Sequence, residues 1–172
     1  MSKPYGLRNV KLVSMDGLTI VVLDASQTLG FSEKISGGEL KGDDVIKALV
    51  SFSEQIEWEL EAGGIPMEAY ALITGRAIAT TGTTPNRTTT LTGHGGDVYP
   101  YFKIYGQALG DVQDDVHCKI FKCKASGKIE GKFGEGKFFA TKIKGAGVPD
   151  DASGGKTFEF VTHETATPIA PA

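Results

Sequence analysis

The fold is decided by four segments between Tyr99 and Thr162, which read YPYFKIYGQA (Tyr99–Ala108), VHCKIFKCKA (Val116–Ala125), KFFATKIK (Lys137–Lys144) and TFEFVT (Thr157–Thr162). Apolar and polar residues alternate along each segment, fully or in part, which is typical of strands with one buried face. In the second segment the apolar set shifts by one residue between Ile120 and Phe121, which predicts a β-bulge. These segments predict a fold built on antiparallel strands.

Further strands are predicted upstream. Leu7–Met15 and Leu18–Ala25 predict a hairpin around Asp16-Gly17, a strong two-residue turn signal. The segment Val45–Glu61 begins with an apolar run that is compatible with the start of a helix, but its second half alternates apolar with acidic residues. We therefore predict a strand with two unlike faces, composed of Ile56, Trp58 and Leu60 on one side and Glu57, Glu59 and Glu61 on the other.

One short helix is predicted at about residues 66–74. Pro66 suits a first helical residue, and Gly75 suits a C-terminal cap. Helical spacing predicts a buried stripe that consists of Met67, Tyr70, Ala71 and Thr74. A short strand is expected around Thr88–Leu91.

Two segments predict irregular structure. Ser26–Asp44 carries four glycines and mixed charges without a clear period, so we expect a long, functional loop at about 26–44. The proline-containing end, residues 166–172, is expected to be a mobile tail. The fold class is therefore mainly β, an antiparallel β-sandwich or small barrel with one flanking helix. Residues 1–172 are expected to form a single domain.

Composition restricts the functional classes. The chain has 172 residues, 40% hydrophobic content and a net charge of −3, which suits one globular domain and gives no electrostatic reason to expect nucleic-acid binding. Its apolar runs are too short for a membrane span. Because no apolar signal region follows Met1, we expect a chain that folds in a cytoplasm.

Charge is unevenly distributed along the chain. Met1–Tyr70 contains eleven acidic and six basic residues, whereas His117–Lys144 contains eight lysines and two glutamates. Two faces of opposite sign would suit contact between copies. A lysine-decorated strand edge that blocks unwanted strand pairing explains the same residues.

No catalytic, cofactor or metal site is predicted, and we expect a protein that is not an enzyme. Gly131–Phe138 resembles a phosphate-binding loop, but Phe138 replaces the Ser or Thr that would bind magnesium, and a hairpin turn at Gly134-Glu135-Gly136 explains the glycines. Cys118 and Cys123 lie five residues apart in one strand, too far apart for a disulfide. The three histidines have no metal-ligand spacing.

The order of these elements resembles the major tail tube protein of long-tailed bacteriophages. The resemblance covers roughly residues 5–165 and rests on the N-terminal hairpin, the long segment after it and the strand that enters Gly63-Gly64-Ile65-Pro66. The remaining elements of the resemblance are the helix ending at Thr74-Gly75 and the segments Tyr101–Gly106, Val116–Ala125 and Thr157–Thr162. It implies a virion protein whose copies form hexameric rings, stacked into a hollow tail tube after synthesis in the host cytoplasm.

The resemblance also implies partners and contact residues. The partners would be copies of the chain, a tape-measure protein, and tail terminator and tip proteins, with DNA passing through without specific binding and no membrane involved. The segment 26–44 would contact the neighbouring ring through Leu29, Phe31, Glu33, Lys34, Ile35, Glu39 and Lys41. Because lysines on the wall would retard DNA, we expect Glu57, Glu59 and Glu61 to face the lumen and the lysines of His117–Lys144 to lie mostly elsewhere. A monomeric small-ligand-binding barrel and a capsid or cement protein remain alternatives.

Overall fold

The computed structural model describes residues 4–42, 45–110, 114–135 and 137–170, and strands dominate it. Within these ranges, one α-helix, α1, spans Met67–Thr74, and one 3₁₀ turn spans Asp151–Ser153. The strands of the described residues are β1 (Pro4–Ser14), β2 (Ile20–Leu23), β3 (Ser26–Gly42), β4 (Val45–Ala62), β5 (Ile78–Thr81), β6 (Thr88–Leu91), β7 (Phe102–Gly110), β8 (Asp115–Gly134), β9 (Lys137–Gly147) and β10 (Phe158–His163). This confirms the predicted mainly β class.

Most strands belong to one antiparallel sheet with the order β2-β1-β7-β8-β9-β4-β3. The long strand β8 pairs with β7 and β10 in its first part and with β9 in its second part. Although β1 and β3 are distant in this order, they lie against each other. The sheet is therefore curved, as in a small barrel or sandwich, and β5 and β6 form a separate hairpin.

The core lies on one face of this curved sheet. Alternation places one apolar set from six strands on that face, and α1 adds Ala69 and Ile73. Trp58 packs edge-on against Phe102, with ring centroids 5.7 Å apart. The fully buried large side chains from the strands that meet here are Val10, Leu12, Ile56, Leu60, Phe102, Ile104, Ile120 and Ile143.

Several local predictions are confirmed. The β1–β2 hairpin forms, with Val13 opposite Ile20, although its connection is longer than two residues. The predicted bulge is present in β8, because Ile120 pairs with Ile104 while Cys123 pairs with Phe102. Gly134 pairs with Lys137 at the β8–β9 turn, and Gly136 of that predicted turn lies outside the described residues.

The predicted long loop at Ser26–Asp44 is wrong. Residues 26–42 form β3, which pairs with β4 along its whole length, and Asp43 and Asp44 lie outside the described residues. The glycines that indicate a loop have a different role here. A Cβ at Gly37 would overlap the carbonyl oxygen of Val50 on β4, so close backbone approach requires glycine at this strand position.

The helix forms where predicted but buries a different face. It begins after Pro66 and ends at Gly75, whose φ of 71° is the left-handed conformation of a glycine cap. Ala69, Ile73 and Thr74 are buried, whereas Met67 is 45% exposed. The predicted stripe is therefore wrong except at Thr74, because the sheet contacts an adjacent face of the helix.

The C-terminal segment packs across the outer face of the sheet. Ile169 is buried with Val13 and Tyr105 in a second small cluster. Lys11 donates a hydrogen bond from Nζ to the Ile169 carbonyl at 2.8 Å. These contacts are not those of a mobile tail, which was the expectation for residues 166–172. Pro171 and Ala172 lie outside the described residues.

Candidate functional site

The hairpin of β3 and β4 extends beyond the sheet. β9 pairs with β4 only from Ile56 to Ala62. Residues 32–42 of β3 and 45–55 of β4, which we call the arm, pair only within the β3–β4 ladder and with no other described strand. An isolated two-stranded hairpin is only marginally stable in water, so the arm needs stabilisation beyond its own hydrogen bonds.

The arm exposes large apolar side chains. Leu40 and Val50 are each 63% exposed, and Phe52 is 58% exposed. Four further large apolar side chains on the arm are exposed to a similar degree, and these are Ile35, Val45, Ile46 and Leu49. Contiguous exposed apolar surface on a folded chain marks a site of interaction.

The two faces of the arm differ in chemistry. Cross-strand partners share a face, and Leu40 pairs with Ala48 while Val50 and Phe52 pair with Gly38 and Ser36. We call Leu40, Ala48, Val50 and Phe52 the apolar face. The opposite face is mixed, since it carries Ile35 and Leu49 beside Glu39, Ser51 and Ser53.

Polar contacts between the two strands of the arm hold its register. Ser36 Oγ donates to Glu54 at 2.6 Å, and Lys34 lies 3.5 Å from the same carboxylate. The hydrogen bond from Ser36, followed by the charge of Lys34, lowers the pKa of Glu54. These groups are exposed, so each contact contributes little stability.

The residues predicted for the inter-ring contact all lie on β3. Five are exposed on the arm, and these are Glu33, Lys34, Ile35, Glu39 and Lys41. Phe31 lies at the base of the arm, where its ring packs against the tilted ring of Phe160 with centroids 4.8 Å apart. Leu29 is half-buried over Gly106. Their contact with a second copy stays a prediction.

Sequence reasoning missed the contribution of β4 to this surface. Val50 and Phe52 carry much of the apolar face, yet only β3 was assigned to the contact. The run Val45–Val50 contained the signal, because a strand that is apolar on both faces indicates cover on both sides.

The acidic row Glu57, Glu59 and Glu61 has basic neighbours. Lys144 lies directly opposite Glu59 on β9, and its Nζ is 2.9 Å from a Glu59 carboxylate oxygen. Lys142 forms an ion pair with the other oxygen. Hydrogen bonds from Lys142 and then Lys144 lower the pKa of Glu59. Two lysines of His117–Lys144 therefore lie beside the acidic row, because β9 pairs with β4. That the lysines of this segment lie mostly away from a lumen stays a prediction.

An apolar groove of about 410 Å³ lies beside the base of the arm. Small residues of β7 and β8 line its floor, namely Gly106, Ala108, Val116 and Cys118. Leu7 and Leu29 form its walls, and Phe31 and Phe160 stand at its mouth, 48% and 42% exposed. The groove has the size of a ligand site but has almost no polar group to orient a ligand.

A buried carboxylate anchors the C-terminal segment. Asp115 Oδ2 accepts hydrogen bonds from the Thr167 amide at 2.9 Å and from Gln107 at 2.5 Å. His117 Nε2 lies 3.2 Å from the same oxygen and 2.9 Å from the Thr167 carbonyl. Burial alone would raise the pKa of Asp115, but these hydrogen bonds outweigh it and lower the pKa. This cluster has a structural role, because its members bond to one another.

Two free cysteines and the carboxylate of Asp97 are held in surroundings that favour a structural role over a reactive one. Cys118 and Cys123 are free thiols, and burial raises the pKa of Cys118 to about 11 and that of Cys123 well above its ordinary value. Such thiols are weak nucleophiles. Asp97 accepts hydrogen bonds from the His94 amide at 2.9 Å and from Arg76 at 2.8 Å, which fixes the glycine-rich loop.

Two further kinds of feature are absent from residues 4–42, 45–110, 114–135 and 137–170. Within those ranges, no group of three or more His, Cys, Asp and Glu side chains is placed to hold a metal ion. No helix there has the length and apolar character needed to cross a membrane.

No family model matches this sequence, and no curated protein is significantly similar to it. The arm, the acidic row and the groove are therefore interpreted from their own geometry.

Proposed function

We propose that this chain is a structural, non-enzymatic subunit that assembles with copies of itself into stacked hexameric rings, forming the hollow tail tube of a long-tailed bacteriophage. The observation that carries the proposal is the arm, a two-stranded extension with large apolar side chains exposed on both faces. The sixfold symmetry and the tube come from the resemblance in element order, and the self-association comes from the arm.

The arm supports association because its exposure is unfavourable in an isolated subunit. Seven large apolar side chains lie in water along two short strand segments, which exceeds the scattered exposure that is normal for a monomer. A second chain that covers the arm would remove this surface from water and stabilise the hairpin. The sheet also ends in β2 and β3, whose outer edges have no partner among the described strands, and a closed ring protects such edges.

The acidic row is proposed to face the lumen together with its two lysines. Free lysines on the wall would bind phosphates and retard DNA. Because Lys142 and Lys144 are engaged by Glu59, their charge is compensated locally. Glu57 and Glu61 then leave the row with excess negative charge, which disfavours contact with DNA.

The proposed partners follow from the place of such a tube in a virion. A tape-measure protein would occupy the lumen during assembly, and tail terminator and tip proteins would bind its ends. The subunit would fold in the host cytoplasm and end in the virion tail.

Negative-stain electron microscopy of concentrated protein tests the self-assembly. We expect rings or tubes of uniform diameter, and gold-labelled antibody should bind along the tails of virions that contain this chain. Tail fractions that lack this chain would refute the proposal.

The groove favours a second candidate function, the binding of a small apolar ligand by a monomer. Its volume of about 410 Å³ lies within the range of ligand sites. Native mass spectrometry distinguishes the two functions, because a ligand carrier should show a bound mass and remain monomeric at high concentration. A capsid or cement role would instead place the chain on the head in images of virions.

A further inference from the structure

The groove beside the arm is open because its floor carries small side chains. Gly106 and Ala108 of β7 lie opposite Cys118 and Val116 of β8, and all four residues line the groove. A Cβ at Gly106 would lie 2.7 Å from Leu29 Cδ2. Glycine at this position therefore lets Leu29 pack directly on the backbone of β7 and form a wall of the groove, while the small residues Ala108, Val116 and Cys118 leave the rest of the groove open.

The groove matches the apolar face of the arm in size and chemistry. A cavity of about 150 Å³ holds one benzene molecule, so the groove of about 410 Å³ accommodates two to three groups of that size. Leu40, Val50 and Phe52 project from neighbouring positions on one face of the arm. Three apolar side chains thus face water on the arm, while an apolar space for about three such groups lies empty in the groove.

An arm cannot reach the groove of its own chain. Phe31 stands at the groove mouth and Leu40 lies nine residues further along the same strand, which is about 30 Å at the rise of a β-strand. The apolar face must therefore meet the groove of another copy. A contact between two different surfaces of identical chains closes into a ring or continues as a filament.

We propose that the groove of one copy receives Leu40, Val50 and Phe52 from the arm of a second copy. This inference rests on the proposed self-assembly and names the surface that the arm contacts. The aromatic pair Phe31 and Phe160 at the mouth borders the inserted side chains, and Ala108 lies beneath them.

Site-specific photocrosslinking tests the contact. A benzophenone maleimide is attached to V50C in the full chain, and the raised pKa values of Cys118 and Cys123 leave the introduced thiol as the reactive one at neutral pH. S51C is the matched control, because it is the next residue on the same strand and points to the opposite face. Crosslinked peptides are mapped by mass spectrometry in concentrated protein that is imaged in parallel.

We expect V50C to crosslink to groove peptides of a second copy and S51C not to do so. Ala108→Phe, which fills the groove from its floor, should abolish the V50C crosslink while circular dichroism shows a folded chain. Because the Val50 side chain is 63% exposed, V50C should leave the fold of the subunit unchanged, and circular dichroism checks this.

The outcomes separate this inference from the proposed function. Groove crosslinks with rings or tubes support both, and groove crosslinks without them support the docking but refute the tube. Rings or tubes whose V50C crosslinks lie elsewhere refute the docking alone. A chain that neither crosslinks nor assembles, or a small apolar molecule found in the groove that blocks crosslinking, overturns the docking.

Discussion

Replacing the apolar face of the arm with serine should abolish assembly and leave the subunit folded. The variant L40S/V50S/F52S removes the three large side chains of that face without touching the core. All three are more than half exposed, so the folded subunit loses little packing when they are removed.

The expected magnitude follows from their exposure. Fully burying a Val, Leu or Phe side chain contributes about 1.5–3 kcal/mol. Because the exposed fractions are 63%, 63% and 58%, covering these side chains would contribute roughly 1–2 kcal/mol each. The sum of about 3–5 kcal/mol per contact corresponds to a dissociation constant raised by about two to three and a half powers of ten.

Sedimentation and thermal unfolding measure the two effects. We expect the critical concentration for pelleting to rise by at least about a hundredfold, while the unfolding midpoint of the free subunit changes little. The matched control is L18S/M67S/V98S, which removes large apolar side chains that are 85%, 45% and 82% exposed and lie away from the arm and from the strand β2. The reasoning would be refuted if the arm variant assembled at the normal concentration, or if the control lost assembly equally.

Three further predictions concern the fold itself. Gly145→Ala should destabilise the subunit by about 1–3 kcal/mol or more in urea unfolding, because the new Cβ would lie 2.6 Å from Trp58 Cε2. Gly38→Ala is the control and should not destabilise the subunit, because a Cβ at Gly38 would meet open space. Because the pKa of Asp115 is lowered in the folded state, its contribution to stability is complete above the unfolded pKa of about 3.9 and is lost as the pH falls through the folded pKa. Protease cleavage of the C-terminal segment should therefore increase in acid. An unchanged cleavage rate would contradict the role of Asp115 as an anchor. Cys118, with a pKa of about 11, should react with iodoacetamide at pH 8 roughly a hundredfold more slowly than an ordinary thiol, and urea should abolish the difference.

Local patterns were sufficient for the strands that lie in the sheet. The bulge of β8 could be predicted because the apolar set changes phase within a single strand, between Ile120 and Phe121. The two unlike faces of β4 could be predicted for the same reason, since Trp58 and Glu59 point to opposite sides of one strand. In each case the signal is contained in a few consecutive residues.

The strand β3 could not be predicted because its partner decides it. Its glycines favour a loop by composition, but Gly37 is required where the backbone of β4 approaches closely. Pairing is a property of two distant segments and leaves little trace in either one. The ion pairs of Glu59 could not be predicted for the same reason, since no local pattern indicates that Lys142 and Lys144 lie on the strand beside β4.

The arm also carries features that disfavour the wrong kind of association. In the arm, the strand edges away from the β3–β4 ladder have no partner among the described strands, so edge-to-edge pairing would extend without limit. Within the arm, the register between β3 and β4 shifts twice, once at Glu54 and once at Lys47, where β4 has an extra residue opposite β3. Bulges that carry charged residues twist an edge and block the addition of another strand. Association through the apolar face is not impeded in this way, because Leu40, Val50 and Phe52 project perpendicular to the strand edge. Contact between copies should therefore use side chains of the arm rather than its backbone hydrogen bonds.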